Sequence, residues 1–129
     1  MRGHVDRAQS ARLATVSEAG APHIVPCCFV LVEGTVYTPI DDKPKSGGPL
    51  RRVANIRSNP KVSLLVDHYD SDWSRLWWVR LDGVGRLVDG ASEWDLAIGA
   101  LRAKYPQYQV VAIPGPIIAV DVHTWRSWP

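Results

Sequence analysis

Short apolar segments separated by turn residues dominate the hydrophobic pattern of the chain. Six of them have the apolar content and the flanking turns that are typical of β-strands. They cover residues 11–16, 22–32, 35–40, 61–69, 75–88 and the alternating stretch 118–123. The turn Glu33-Gly34 is too short for a parallel crossover, so the strands on either side of it are expected to run antiparallel. Pro26 indicates an edge strand or a bulge, and Gly83 or Gly85 indicates a bend in the fifth strand.

Two further segments have helical periodicity. Pro49 suits the first position of a helix, and Asn59-Pro60 ends that helix. A second helix is expected to begin at Ser92, which has the spacing of a capping box with Asp95, and to end at Tyr105-Pro106. The pattern therefore predicts one mostly β domain over residues 1–129, a six-stranded antiparallel barrel with two flanking helices.

Composition agrees with a folded protein of one domain. The chain has 129 residues, of which 46% are hydrophobic and 22% are charged. A net charge of +2 does not favour nucleic acid as a partner. Residues 1–13 lack the apolar region of a signal peptide, and no apolar run is long enough to cross a membrane. Cys27 and Cys28 would face opposite sides of a strand, so we expect two free thiols and a cytoplasmic location.

The best candidate for a binding site is the basic turn between the third strand and the first helix. Four basic residues surround the tripeptide Ser46-Gly47-Gly48: Lys43, Lys45, Arg51 and Arg52. Glycine allows the backbone to approach a ligand closely, and N–H groups at a helix N-terminus attract anions. The pattern predicts a phosphate site, in which Lys45 and Arg51 contact the anion and Arg52 faces solvent. A solvated loop, in which Asp41 and Asp42 pair with the lysines, also fits the pattern.

Other candidate chemistry is weaker. The four histidines, His4, His23, His68 and His123, have no metal-ligand spacing, so no metal site is expected. No nucleophile elbow is present. Trp77 and Trp78 would face opposite ways on a strand. One of them is expected to pack in the core, while the other could stack on a planar ring, lie in a dimer interface or simply cover the surface.

Several of these segments also resemble a known family. Residues 11–16 and 20–26 look like the opening of the pyridoxamine 5'-phosphate oxidase-like split β-barrel superfamily. Residues 37–38, 42–45, 50–52, 55–56, 59–60 and 62–69, the Trp-rich block 72–80 and residues 105–108 resemble one actinobacterial branch of it. That branch is usually described as dependent on coenzyme F420. The resemblance covers roughly residues 11–125.

The resemblance implies a split barrel that forms a homodimer, with cofactor sites at the interface. It implies coenzyme F420 as the cofactor, or FMN as the alternative, and hydride transfer to a small organic acceptor. The ring would lie along the second strand, at His23, Val25 and Pro26. The phosphate would be held by Thr38, Lys43, Lys45 and Arg51. Trp78, in the Trp-rich block, is a further candidate cofactor residue, which could stack on the ring. The family often has a basic residue and hydroxyl residues where this chain has Ser46-Gly47-Gly48, so one phosphate ligand would be either missing or replaced by backbone N–H groups.

Two other classes of function remain open from the sequence. The chain could be a non-catalytic module that carries the deazaflavin or haem. It could also be a small barrel that binds single-stranded nucleic acid through the basic turn and an exposed tryptophan, although its basic residues cluster at one turn rather than along a groove. For an enzyme, His68, Tyr69 and Arg80 are candidates for polarising the acceptor or donating a proton, and no spacing selects among them.

Overall fold

Seven antiparallel strands and three helices make up the computed structural model, which describes residues 1–40 and 50–129. The strands are β1 (Ala11–Val16), β2 (Pro22–Cys27), β3 (Val30–Val32), β4 (Thr35–Pro39), β5 (Lys61–His68), β6 (Trp77–Leu87) and β7 (Ile117–Trp128). The helices are α1 (Arg2–Arg7), α2 (Arg51–Ser58) and α3 (Ala91–Lys104), with 3₁₀ turns at Trp73–Arg75 and Pro106–Gln109. The strands form one sheet in the order β2-β1-β5-β6-β7-β4-β3. The mostly β split-barrel class predicted from the sequence is confirmed, with seven strands instead of six.

The additional strand arises because residues 22–32 do not form the single strand that their apolar pattern predicts. They form β2 and β3, which lie at opposite edges of the sheet and are joined only by Cys28 and Phe29. In a flat seven-stranded sheet these edges would be about 29 Å apart, at roughly 4.8 Å per strand. The link from Cys27 to Val30 spans at most about 11 Å. The sheet must therefore curl until its two edges meet.

One tyrosine holds this crossing in place. The Tyr105 hydroxyl accepts a hydrogen bond from the Phe29 N–H at 3.0 Å. The same hydroxyl donates to two carbonyl oxygens, that of Gln9 at 2.8 Å and that of Phe29 at 3.1 Å. Phe29 itself is only 1% exposed. The end of α3 is thus tied to the point where the chain passes from one edge of the sheet to the other.

The C-terminal strand β7 pairs with both β6 and β4, so it joins the two parts of the sheet. The register of β6 shifts between Asp82 and Gly83, as the predicted bend required. A Cβ atom at Gly83 would collide with the backbone carbonyl of Asp121. Glycine is therefore needed where these two strands come closest. No helix in the two described ranges is long and apolar enough to cross a membrane.

Two apolar clusters stabilise the fold. The first fills the barrel and includes Leu13, Leu64 and Leu81. The second lies between α3 and the outside of the barrel and includes Leu101 and Ile117. Because α3 covers the outside, residues 117–120 are buried on both faces, where the sequence predicts a half-buried strand.

The helix ends follow the sequence in part. α2 and α3 end directly before the predicted Asn59-Pro60 and Tyr105-Pro106 stops. The predicted capping box of Ser92 is wrong, because α3 begins at Ala91 after Gly90 and has no side-chain cap. The acidic residue in the first turn of α3 is Glu93, which lies towards the barrel and binds Arg86.

The short helix α1 is not predicted by the sequence pattern. Its Val5 is fully buried in the barrel cluster, and the His4 ring stacks on Trp77 with 4.0 Å between ring centroids. Contacts with distant residues therefore hold this helix, since six residues without a side-chain cap would not be stable alone.

A charged network joins four elements on the outside of the barrel. Arg86 of β6 donates to Glu93 of α3 at 2.6 and 2.8 Å, and to Asp121 of β7 at 2.8 and 3.2 Å. The Tyr37 hydroxyl of β4 donates to Glu93 at 2.8 Å, and Thr35 donates to Asp121 at 3.1 Å. Hydrogen bonds from Arg86 hold the pKa of both carboxyl groups below their ordinary values. Burial, followed by the hydrogen bond to Glu93, raises the pKa of Tyr37 to about 12.

We expect Arg86→Ala to lower the free energy of unfolding by about 1–2 kcal/mol at pH 7, because two charge-assisted pairs are lost at a partly exposed site. Folding lowers the pKa of Glu93 and Asp121. Their contribution is therefore present above the ordinary carboxyl pKa of about 4 and is lost as the pH falls through the lower folded values. Urea unfolding should show a difference between the proteins that is largest at pH 7 and shrinks towards pH 3.

The matched control is Arg126→Ala, which removes an exposed arginine of β7. It should change stability little at either pH. An Arg86→Ala effect that is the same at pH 7 and pH 3 would contradict the role given to the two carboxylates.

Candidate functional site

The basic site predicted from the sequence lies where β4 ends and α2 begins. Lys43 and Lys45 fall within residues 41–49, outside the described residues. Thr38, next to the end of β4, is 1% exposed. Arg51 is the exposed first residue of α2. The described part of the site therefore consists of a buried hydroxyl on one side of residues 41–49 and a basic helix start on the other.

The N-terminus of α2 is electrostatically unusual. Leu50 is its N-cap, no side chain of residues 1–40 or 50–129 caps it, and no acidic residue lies in its first turn. The backbone hydrogen bonds at this end are donated by Val53 and Ala54 to the Leu50 carbonyl. Arg51 and Arg52 place two positive charges at the positive end of the helix dipole, where cations and backbone N–H groups together attract an anion. This arrangement suits a bound phosphate.

Arg52 is placed differently from its sequence prediction. We expected it to face solvent, but it is half-buried, whereas Arg51 is exposed. Burial raises the pKa of the Cys27 thiol, and this rise is opposed by a hydrogen bond with the Thr38 side chain and by the positive charge of Arg52. Cys27 therefore contacts Thr38 and lies within electrostatic range of Arg52. The sequence analysis missed Cys27 as a candidate residue of this site.

The predicted ring-binding residues of β2 divide between its two faces. His23, Val25 and Cys27 are half-buried, while Pro22, Ile24 and Pro26 are exposed. Val25 and Cys27 pack against the barrel cluster, so their face is the inner one. β2 is an edge strand, as Pro26 indicated. His23 and Val25 therefore share a face with Cys27, and Pro26 lies on the other face.

His23 has an unsatisfied nitrogen. Its Nδ1 atom is buried and has no hydrogen-bond partner among the described residues. His23 lies opposite Thr15 of β1, whose hydroxyl accepts from the Asn55 side-chain amide at 3.0 Å. Thr15 and Asn55 are 1% and 4% exposed. The sequence gave no indication of this buried polar pair, because the two residues are 40 positions apart.

Trp78 is not near these residues within one chain. It lies on β6, three strands from β2, opposite Asp67 of β5 and Trp128 of β7. Trp77, on the other face, packs against the barrel cluster as predicted for one of the pair. The structure thus separates Trp78 from His23 and Thr38.

Trp78 lies instead in a groove at the end of the β5–β6 hairpin, with a volume of about 510 Å³. Aromatic and aliphatic side chains form most of its wall. His68, Tyr69 and Arg80, the sequence candidates for acting on an acceptor, all line it. The full lining is Leu65, Asp67, His68, Tyr69, Leu76, Trp77, Trp78 and Arg80.

A second concavity lies at the opposite end of β5 and β6, with a volume of about 480 Å³. Its lining includes Ala14, Val16 and Val84. Ile24, which pairs with Ala14 across β1 and β2, stands beside it and is 65% exposed. Lys61, Asp82 and His123 also line the concavity, although most of its exposed wall is apolar. An exposed apolar side chain next to a largely apolar hollow is typical of a surface that another protein covers.

Cys27 and Cys28 are both free thiols. Among residues 1–40 and 50–129, no group of three His, Cys, Asp or Glu side chains is arranged to hold a metal ion.

Solved structures with the same fold include proteins of different kinds. A candidate pyridoxamine 5'-phosphate oxidase from Listeria innocua has a TM-score of 0.72 at 20% identity, over 98% of this chain and 93% of that one. HutZ, the haem storage protein of Vibrio cholerae, has a TM-score of 0.72 at 16% identity, over 98% and 89%. An FAD-binding protein from Mesorhizobium loti has a TM-score of 0.71 at 19% identity, over 98% and 89%. At these identities the likeness concerns the fold alone.

Sequence comparison gives the family. A search of curated protein sequences finds no significant match. The family model described as pyridoxamine 5'-phosphate oxidase matches residues 1–129. This match extends over all the elements described above, and the chain therefore belongs to the pyridoxamine 5'-phosphate oxidase family.

Proposed function

We propose that the protein is a coenzyme F420-dependent oxidoreductase, which transfers a hydride between the reduced deazaflavin and a small organic acceptor. FMN is the alternative cofactor. The observation that carries the proposal is the pair of arginines at the start of α2, the helix that follows the strand with the buried Thr38 hydroxyl. Membership of the family supports the reaction class. The Trp-rich block 72–80 and the basic turn favour the deazaflavin.

The residues present fit such a cofactor. Thr38, Arg51 and Arg52 would hold the phosphate, together with Lys43 and Lys45 of the intervening turn. His23 and Val25 would lie beside the ring, and the orphaned His23 Nδ1 could bond a polar ring atom. Pro26 lies on the exposed face of the same edge strand, so it would contact the ring only from that side. Thr38 is 1% exposed, so its hydroxyl would meet the phosphate in a site shielded from water.

The cofactor, when bound, supplies the hydride chemistry. The chain's own residues bind the phosphate, orient the ring and position the acceptor. His68, Tyr69 and Arg80, the sequence candidates for acting on the acceptor, line a groove away from the ring-binding candidates of β2, so the proposal gives them no role at the acceptor.

We also propose that the protein is a homodimer, joined through the exposed face of β2. Ile24 is 65% exposed beside the 480 Å³ hollow, and Val84 on the rim of that hollow is 42% exposed. In a two-fold arrangement, each copy's Ile24 would fill the hollow of the other, because a two-fold interface uses the same patch twice. The exposed Pro26 would then lie close to the interface.

The free thiols support a reducing compartment, and we propose the cytoplasm as the location. The expected partners are a small-molecule substrate and a second copy of the chain. Neither nucleic acid nor a membrane is part of the proposal.

A second candidate function is a non-catalytic module that binds a flavin or haem. The fold neighbour HutZ, a haem storage protein, favours it. Haem would need an axial ligand, and His68 has a half-exposed side chain in the groove. Hydride transfer to an added acceptor by the cofactor-loaded protein would support the enzyme, whereas a haem absorption band without any turnover would support the module.

Titration of the apo-protein with coenzyme F420 and with FMN should show tighter binding of F420, because the basic turn and the Trp-rich block resemble the F420-dependent branch. Cofactor fluorescence gives both affinities under the same conditions. Tighter binding of FMN would assign the protein to the alternative cofactor.

Arg51→Ala and Arg52→Ala should each weaken cofactor binding by about 10- to 100-fold, as expected for the loss of a charge-assisted hydrogen bond. Arg51→Ala should at the same time leave the melting temperature of the apo-protein unchanged or slightly higher, because it removes a cation from the positive end of a helix. Fluorescence titration and thermal melting measure the two effects separately.

Arg57→Ala is the matched control, since Arg57 is exposed in the last turn of the same helix. It should leave the affinity unchanged. Equal affinity in wild type, Arg51→Ala and Arg52→Ala would mean that the phosphate is bound elsewhere.

Ile24→Asp should convert the dimer into a monomer, because it places a charge in an apolar contact while leaving the exposed position compatible with folding. Light scattering of the purified proteins measures the mass. Val110→Asp, at a residue that is 90% exposed in the loop before β7, is the control and should remain dimeric. A wild-type monomer at micromolar concentration would contradict the dimer.

A further inference from the structure

The groove at the end of the β5–β6 hairpin is physically distinct from the phosphate site. The side chains of Leu65, Asp67, Trp78 and Arg80 share one face of the sheet, since Leu65 pairs with Arg80 and Asp67 with Trp78. Leu65 also pairs with Arg12 of β1, which pairs with Pro26 of β2. The groove therefore lies on the same face as Pro26, the face opposite to His23 and Val25.

The size and the wall of this groove suit a small organic molecule. Its 510 Å³ lies within the range of roughly 300–1,000 Å³ that is common for ligand pockets. Leu65, Leu76, Trp77 and Trp78 supply apolar surface that is only half-buried. Tyr69 is 71% exposed, an unusual position for a large aromatic side chain. A flat ring would cover these side chains at little cost in conformational entropy.

The charges that line the groove are already compensated within the chain. The Arg80 Nε atom lies 3.0 Å from an Asp82 carboxylate oxygen, and Nη2 lies 3.2 Å from the other. Asp67 is 3.8 Å from an Arg12 nitrogen, and His68 is 3.3 Å from Asp70. Among the described residues of the groove, no positive charge is left without a carboxylate. A phosphate or carboxylate ligand would lose hydration here and gain no unpaired cation in return.

We propose that this groove binds an uncharged planar aromatic molecule, which stacks on Trp78 and Tyr69. The inference goes beyond the proposed function, because the groove lies on the face of the sheet opposite to the ring-binding candidates His23 and Val25. It assigns Trp78 to this ligand and away from the cofactor ring. It also separates the ligand from the phosphate esters that the family name suggests.

Two commercial probes with the same ring, 2-naphthol and 2-naphthyl phosphate, test whether the groove prefers an uncharged ligand. Calorimetric titration of the full-length apo-protein should show binding of 2-naphthol. The phosphate ester should bind at least about tenfold more weakly, since roughly 1.4 kcal/mol of uncompensated desolvation is enough for that factor. Equal or tighter binding of the ester would overturn the proposal, as would the absence of 2-naphthol binding.

Two variants test the location. Trp78→Ala should weaken 2-naphthol binding by about tenfold or more, as is usual when an aromatic stacking partner is removed. Tyr69→Ala changes an exposed residue, so it should fold normally and still weaken binding. Trp73→Ala is the control, because Trp73 is 69% exposed and does not line the groove. Unchanged binding in Tyr69→Ala and Trp78→Ala would place the probe elsewhere and overturn the proposal.

A third variant tests the charge argument in the opposite direction. Asp82→Asn removes the negative charge beside Arg80 but keeps an oxygen that can accept the Ser63 hydroxyl, now bound at 2.7 Å. With Arg80 released, 2-naphthyl phosphate should bind several-fold more tightly, and 2-naphthol should be unaffected. If 2-naphthyl phosphate binds no more tightly to Asp82→Asn than to the wild type, the Arg80–Asp82 ion pair does not disfavour anions, and the charge argument of the proposal is wrong.

Cofactor titrations of the same variants separate this inference from the proposed function. Trp78→Ala and Tyr69→Ala should bind the cofactor with wild-type affinity, and Arg52→Ala should bind 2-naphthol with wild-type affinity. A loss of cofactor affinity in Trp78→Ala would return Trp78 to the cofactor ring and overturn its assignment to the groove ligand. Normal 2-naphthol binding by a wild-type protein that takes up no cofactor would refute the proposed function but not the groove.

Discussion

The two-residue link between β2 and β3 is the constraint on which the rest of the structure depends. Cys28 and Phe29 connect strands that lie at opposite edges of a seven-stranded sheet, so the edges must meet. Closure brings Cys27, at the end of β2, next to Thr38 of β4, although these strands are far apart in the order of the sheet. The candidate phosphate site therefore exists only in the closed barrel. Tyr105 stabilises the closure by binding the backbone of Phe29 from the end of α3.

The features that the sequence predicts correctly are those with local causes. Strand-like apolar runs, the two prolines that stop α2 and α3, the edge position of Pro26 and the bend at Gly83 all follow from neighbouring residues. The division of residues 22–32 does not, because it depends on distant contacts, among them the hydrogen bond between Phe29 and Tyr105, 76 positions away. The same holds for α1, which is held by the burial of Val5 and by the stacking of His4 on Trp77.

The candidate site shows the same limit. Spacing and composition locate the basic turn, because charge and glycine content are local. They cannot tell that Arg52 is more buried than Arg51, or that Cys27 belongs to the site, since both depend on barrel closure. They also group Trp78 with His23, which the sheet order separates by three strands. Charge pairing in the groove, such as that between Arg12 and Asp67, requires the register of the strands.

The position of β7 in the sheet has a consequence for synthesis of the protein on the ribosome. Once the chain has been synthesised as far as Leu87, four neighbouring strands of the sheet can pair with one another: β2, β1, β5 and β6. The β3–β4 hairpin has no other neighbour in the sheet until Ile117–Trp128 has left the exit tunnel, and a lone two-stranded hairpin is marginally stable in water. The nascent barrel therefore stays open until β7 emerges. The contact between Cys27 and Thr38, on which the candidate phosphate site depends, can form only after that strand has left the ribosome.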